Sequence, residues 1–132
     1  MEKLEHIGIA VKNMDQTNTL FAALLGQSHY KIEAVESEGV RTSFFNVGGV
    51  KIELLEAIRN DSPIARFIDK RGEGIHHLAF SVSDISQSVQ SYKEKGFEII
   101  DEVPKKGADN KLICFLHPKS TAGVLIELCQ DI

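Results

Sequence analysis

Four side chains that bear metal-ligating atoms recur at matching places in the 132-residue chain: His6 and Glu53 in its first half, His77 and Glu127 in its second. Two neutral imidazoles and two carboxylates make a mixed nitrogen and oxygen set suited to a divalent ion such as zinc, cobalt, nickel, manganese or iron. An ion held this way, with positions left to water or substrate, serves as a Lewis acid. Each of the four lies in a segment that occurs twice. His6-Ile7-Gly8-Ile9-Ala10-Val11 matches His77-Leu78-Ala79-Phe80-Ser81-Val82 at an offset of 71, and Gly49-Val50-Lys51-Ile52-Glu53-Leu54 matches Gly123-Val124-Leu125-Ile126-Glu127-Leu128 at 74.

These side chains need strands to position them. Alternation puts His6, Gly8 and Ala10 on one face of a strand and Ile7, Ile9 and Val11 on the other, and the segments around Glu53, His77 and Glu127 divide in the same way. The branched apolar faces are free to bury helices, which leaves the histidines and glutamates on the opposite surface of the sheet. The pattern predicts a strand over 4–11, a helix over 13–25 stopped by Gly26, a strand over 29–35, and strands over 41–47 and 50–55 turned at Gly48-Gly49. Ser62-Pro63 before Ile64, Phe67 and Ile68 marks a connecting helix that ends near Gly72. The pattern then restarts, with a strand over 77–82, a helix over 84–95 ended by Gly96, strands over 97–103, 112–116 and 124–129, and a polar loop over 104–110. The expected architecture is α+β: one domain over 1–132, built from βαβββ modules at about 3–58 and 74–130 joined by a helix at about 62–72. Each module is too small to be secure alone, so pairing the two is the route to stability.

Composition narrows the function classes. Fifteen basic and nineteen acidic residues leave a charge of -4, which argues against a nucleic-acid binder and against a long acidic tail. No apolar stretch approaches the roughly 18 to 20 residues of a membrane span, and the first residues lack the apolar run of a secretion signal. A cytoplasmic protein without membrane or nucleic-acid partners is expected. Cys114 and Cys129 sit in alternating apolar segments, as reduced buried thiols do, and no disulfide is expected. His76 has the opposite strand phase to its neighbour and is a candidate to steady the ligands from behind. His117, before Pro118-Lys119 at a strand end, is placed to contact a ligand, whereas His29 has no such context.

Taken together, these segments resemble the methylmalonyl-CoA epimerase family of the vicinal oxygen chelate (glyoxalase/bleomycin resistance/dioxygenase) superfamily over nearly the whole chain. The likeness runs from the His6–Val11 segment through Lys51-Ile52-Glu53-Leu54-Leu55 and Gly74-Ile75-His76-His77-Leu78-Ala79 to Phe115-Leu116-His117-Pro118-Lys119 and the Gly123–Leu128 segment. The resemblance implies a glyoxalase-like vicinal oxygen chelate fold and metal ligands at His6, Glu53, His77 and Glu127, with Glu53 standing where some relatives carry glutamine. It also implies a homodimer, a coenzyme A thioester substrate and a divalent metal ion, cobalt first and zinc, nickel, manganese or magnesium after it.

The implied reaction is metal-dependent epimerisation between the 2R and 2S forms of methylmalonyl-CoA. The proton at C2, between carboxylate and thioester carbonyl, is removed and one is returned to the opposite face. The resemblance makes Glu127 both ligand and base. Some family members have a glutamate where this chain has Thr42, whose hydroxyl lacks an accessible proton-transfer pKa. That leaves Glu36, Glu38 or a water relay for the second face. Lys105, Lys106, His117 and Lys119 are candidates to bind the anionic substrate. Rival readings are a glutathione-dependent lactoylglutathione lyase and a noncatalytic small-molecule binding or resistance protein. The full series of matching segments favours the epimerase, and retention of all four ligands argues against binding without chemistry.

Overall fold

The structure is a computed structural model that describes residues 2–132. The chain forms two compact units: His6–His76, and His77–Ile132 together with the residues leading up to Glu5. The first unit carries β1 (Lys3–Ala10, from His6 onward), α1 (Met14–Leu25), β2 (Lys31–Val35), β3 (Val40–Val47), β4 (Val50–Ala57) and α2 (Pro63–Arg71). Its strands lie in the order β2-β3-β4-β1, antiparallel except for the parallel β1/β4 pair. The second carries β5 (Gly74–Ser81, from His77 onward), α3 (Ile85–Glu94), β6 (Lys105–Lys106), β7 (Lys111–Leu116) and β8 (Ile126–Asp131). Its order is β5-β8-β7-β6, with β5/β8 parallel and the others antiparallel. Each unit therefore repeats one mixed-sheet βαβββ plan.

Local chemistry explains the element ends. Asn13 caps α1 by accepting from the Gln16 N–H at 3.0 Å, and Asp84 caps α3 by accepting from Gln87 at 3.1 Å. Ser62 accepts from Ala65 at 3.1 Å, with Pro63 in the first turn of α2, where a missing N–H costs nothing. At Gly48 and Gly49 φ is 60° and 89°, values that favour glycine in the β3–β4 turn.

The apolar faces bury the helices as the alternation predicts. Met14, Phe21 and Leu25 of α1 pack on Ile9, Val11, Phe45, Ile52 and Leu54. In the second unit Ile85, Val89 and Tyr92 of α3 pack on Val82, Cys114, Leu116, Ile126 and Leu128. Ser43 donates to Asn18 Oδ1 at 2.6 Å beneath α1, so this buried polar pair satisfies itself. Helix α2 lays Ile64, Phe67 and Ile68 over Ala10, Val40 and Leu55 on the other sheet face. The repeat-equivalent positions in the second unit are Ser81, Lys111 and Cys129, and they line a cavity of about 300 Å³. Polar and small residues replace apolar ones where, among the described residues, that unit has no second helix to bury.

Strand ends shift by up to three residues from the sequence reading, as in β5, which starts at Gly74, and β8, which runs Ile126–Asp131, and two segments change character. The segment 97–103 is not a strand: it makes one bridge, Ile99 to Leu116. The Ile100 N–H donates to the Phe115 carbonyl at 2.9 Å, but the Asp101 carbonyl is taken by the Cys114 thiol and Glu102 turns out to Lys93. The edge is resumed inside the expected loop at 104–110, where Lys105 and Lys106 pair with Ile113 and Leu112. Among the described residues no helix is long and apolar enough to cross a membrane.

Candidate metal and substrate site

Each unit presents one buried histidine beside one buried glutamate. In the first, β1 and β4 run parallel with Gly8 opposite Glu53, which places His6 and Glu53 on the same face. His6 Nε2 lies 3.4 Å from Glu53 Oε1, and the two residues are 6% and 5% exposed. In the second, Ala79 stands opposite Glu127, and His77 Nε2 lies 3.4 Å from Glu127 Oε1, at 4% and 5% exposure. Four polar side chains this deeply buried are costly unless something repays their lost hydration.

The repeat extends beyond these pairs. Glu53 is flanked by Gly8 on one side and Phe44 on the other, and Glu127 by Ala79 and Phe115. The small residue leaves the carboxylate room to lean toward its histidine. The phenylalanine walls the outer side, and the Phe115 ring meets His77 edge-on with centroids 6.0 Å apart. Phe44 and Phe115 were not among the sequence candidates, although the same 71-residue offset links them.

The donor chemistry fits a divalent cation. Nitrogen and oxygen ligands at ~2.0 to 2.2 Å from one ion are ~2.8 to 3.6 Å apart when they subtend about 90° to 110°. Each His–Glu pair has that spacing, which is long for a direct hydrogen bond. Near the second pair, burial pushes the Cys129 thiol from 9.0 up to about 12, with the Glu127 and Glu5 carboxylates adding to the effect. This thiol stays protonated and is no nucleophile at neutral pH.

The remaining candidates divide by position. Thr42 is 1% exposed on the Glu53 face and donates to the Glu33 carbonyl at 3.3 Å. Glu36 and Glu38 form a 3₁₀ turn after β2, and the Glu36 carbonyl accepts from Arg59 Nη1 at 2.6 Å. Lys105 and Lys106 are exposed on the edge strand β6. His117 and Lys119 gather around Glu98, at 3.7 Å and 2.9 Å, and the hydrogen bond from Lys119 holds the Glu98 carboxyl below its ordinary range. His76 stacks edge-on against Phe67, with ring centroids 4.9 Å apart, so its ring is engaged with α2.

Sequence reasoning also passed over Glu33 and Lys31. The β2–β3 register sets Glu33 opposite Thr42 and Lys31 opposite Phe44, on the face that holds Glu53. Lys31 Nζ lies 3.2 Å from Glu33 Oε1 and 5.4 Å from the Phe44 ring centre.

Comparison with known proteins agrees with this arrangement. The profile of the Glyoxalase/Bleomycin resistance protein/Dioxygenase superfamily matches residues 5–115. The mitochondrial methylmalonyl-CoA epimerase of Mus musculus is 35% identical over 129 residues, spanning 97% of this chain and 72% of that protein. A variant methylmalonyl-CoA epimerase of Streptomyces coelicolor, solved in complex with 2-nitronate-propionyl-CoA, superposes with a TM-score of 0.94 at 33% identity, covering 99% and 95% of the two chains. The hypothetical protein BH1468 of Bacillus halodurans C-125 superposes with a TM-score of 0.96 at 43% identity, covering 98% and 94%. With matching segments, paired βαβββ modules and His–Glu pairs of common geometry, the chain belongs to the methylmalonyl-CoA epimerase family of the glyoxalase/bleomycin resistance protein/dioxygenase superfamily.

Proposed function

We infer that the chain is an isomerase that interconverts the 2R and 2S forms of methylmalonyl-CoA by removing and returning the proton at C2. The observation that carries this reading is the buried Glu127 beside His77 in a chain of this family. A carboxylate can take the C2 proton while the electron pair left behind spreads onto the substrate's carboxylate and thioester carbonyl. Burial suits the task, since a desolvated carboxylate meets an acidic C–H without water competing for it.

His6, Glu53, His77 and Glu127 are the ligands we assign to a divalent cation, with cobalt the first ion to try. When bound, such an ion neutralises negative charge that develops on substrate oxygens. Phe44 and Phe115, flanking the two glutamates, exclude solvent from the carboxylates. Lys105, Lys106, Lys119 and His117 supply positive or hydrogen-bonding groups to an anionic coenzyme A thioester, which the overall charge of -4 does not attract. The reading takes the chain as one cytoplasmic domain acting as a homodimer. Leu20 and Leu24, one turn apart on α1 and 63% and 72% exposed, support an apolar contact of that kind.

Incubating metal-loaded protein with single-epimer methylmalonyl-CoA in heavy water tests the reading. Conversion to the other epimer with deuterium entering at C2 is expected. No conversion, together with glutathione-dependent turnover of the methylglyoxal hemithioacetal, would establish the lyase instead.

A further inference from the structure

What distinguishes one 2-substituted malonyl thioester from another is the alkyl group on the carbon that Glu127 deprotonates. That group must rest beside the Glu127 carboxylate, so the side chains flanking the carboxylate decide its size. We propose that Phe115 and Ile100 form the seat for the 2-alkyl group, and that the chain therefore epimerises 2-ethylmalonyl-CoA as well as the 2-methyl thioester; this rests on the epimerase reading and deepens it.

The seat is built within one unit. Phe115 on β7 stands opposite Glu127 on β8. On the other side of β7 the bridge between Ile99 and Leu116 sets Ile100 opposite Phe115, and the Ile100 N–H donates to the Phe115 carbonyl at 2.9 Å. Residues opposite one another on antiparallel strands share a face, with Cβ atoms ~4.5 to 5.5 Å apart, so Glu127, Phe115 and Ile100 form one row. Exposure rises along it, from buried Glu127 through half-buried Phe115 to Ile100, which is 52% exposed. An apolar surface thus begins at the base and runs outward.

The other neighbours of Glu127 on this face offer less. Ala79, Ile113 and Cys129 are buried together, with Phe115 packed against them. Leu125 is half-buried but lies two residues along β8, ~7 Å away. The Phe115 ring is nearer, since it meets the His77 ring edge-on at 6.0 Å and His77 Nε2 is 3.4 Å from Glu127. A substituent on the carbon that Glu127 deprotonates falls against this ring.

The opening is particular to the second unit. In the first, the Tyr30 N–H makes the same 2.9 Å bond to the Phe44 carbonyl. There β2 continues beyond Tyr30, Lys31 lies 5.4 Å over the Phe44 ring and the Tyr30 ring tilts against it at 6.2 Å, so that Phe44 is 1% exposed. The second unit has Ile100 and Asp101 at these places, and the chain leaves the ladder at Asp101. The break in the strand expected at 97–103 is what leaves Phe115 half-buried. A methyl carbon lies ~1.5 Å from C2 and reaches the ring alone, whereas each further carbon adds ~1.2 Å toward Ile100, at the exposed end of the row.

The test follows malonyl-, 2-methylmalonyl- and 2-ethylmalonyl-CoA with metal-loaded protein in heavy water. Malonyl-CoA has no substituent, so its C2 exchange reports proton removal without the seat. Wild type should convert the 2-ethyl thioester with kcat/KM within about 10-fold of the 2-methyl one, short of the ~10- to 200-fold by which a closed pocket refuses one methylene. Phe115→Ala should lower the ratio of methylmalonyl conversion to malonyl exchange about 10-fold, and Phe115→Leu should move it the same way. Any effect on solvent exclusion or on His77 acts on both reactions and cancels in that ratio. Ile100→Ser, at an exposed position that does not endanger folding, should lower the ethyl-to-methyl ratio about 10-fold. Unchanged ratios in folded variants overturn the proposal, as does wild-type discrimination against the ethyl group beyond 10-fold. A wild-type chain that neither converts methylmalonyl-CoA nor exchanges its C2 proton refutes the epimerase reading; methylmalonyl conversion with unmoved ratios refutes the inference alone.

Discussion

The carboxylate of Glu56 accepts a 2.8 Å hydrogen bond from the backbone N–H of Met14, so strand β4 caps the first turn of α1 from outside the helix. The second unit repeats the device, with Gln130 Oε1 accepting from the Ile85 N–H at 2.7 Å at the start of α3. The residues correspond through the offsets that relate the two His–Glu pairs, 71 on the helix side and 74 on the strand side. The helix starts and the buried glutamates of the His–Glu pairs are therefore placed by the same strands. Gln130→Ala should lower stability by ~1 kcal/mol through loss of the cap, and Glu56→Ala by ~1 to 2 kcal/mol because Arg41 also loses the nearer of its two carboxylate partners, Glu56 and Asp15. Urea midpoints check this, and unchanged midpoints would show that solvent satisfies these N–H groups equally well.

For metal ligation the informative substitution is His77→Ala. Removing a ligand should weaken divalent-metal binding by more than the ~10- to 100-fold that follows loss of a supporting hydrogen bond, and epimerisation should fall with occupancy. Metal content after dialysis and turnover of the reloaded protein provide the two readings. Full occupancy in a folded variant contradicts the assignment.

Glu127→Gln separates binding from proton transfer. The amide keeps an oxygen that can ligate but no longer accepts a proton, so C2 exchange and conversion should fall ~10²- to 10⁴-fold with metal occupancy less affected. Deuterium washout at the wild-type rate would remove Glu127 from the base role.

What the sequence makes legible here follows from what repetition and alternation can carry. His6, Glu53, His77 and Glu127 stand out because each lies in a duplicated segment with clear period-two phase, and β1, β4, β5 and β8 appear where that phase predicts. The inward phase of Lys31 and Glu33 was hidden for a physical reason. On β2 the apolar Ile32 is 44% exposed while Lys31 and Glu33 turn inward, because an edge strand facing a polar site reverses the usual hydrophobic logic. Phase cannot be read correctly on such a strand until the β2–β3 register is known. The missing strand at 97–103 has a similar origin. Its apolar residues Phe97 and Ile99 pack against the α3 core, but whether a backbone joins a ladder depends on its partner, and β7 meets Lys105 and Lys106 instead.

The thiol of Cys114 sets a pH dependence. It is 2% exposed in the core beneath α3 and donates to the Asp101 carbonyl at 3.0 Å; burial, its largest influence, pushes its pKa above the ordinary 9.0. The folded chain therefore keeps this proton to higher pH than the unfolded chain does. Below the ordinary thiol value both states are protonated and the stabilisation is fully present; as pH rises above it, the unfolded state ionises first and stability is progressively lost. Urea midpoints between pH 8 and 10.5 should fall more steeply for wild type than for Cys114→Ala, whose absolute stability is lower because of the cavity it leaves. The comparison rests on slopes, so that cavity penalty drops out, and lysine titration contributes to both proteins alike. Parallel slopes would mean that the buried thiol ionises equally readily in the folded and unfolded chains.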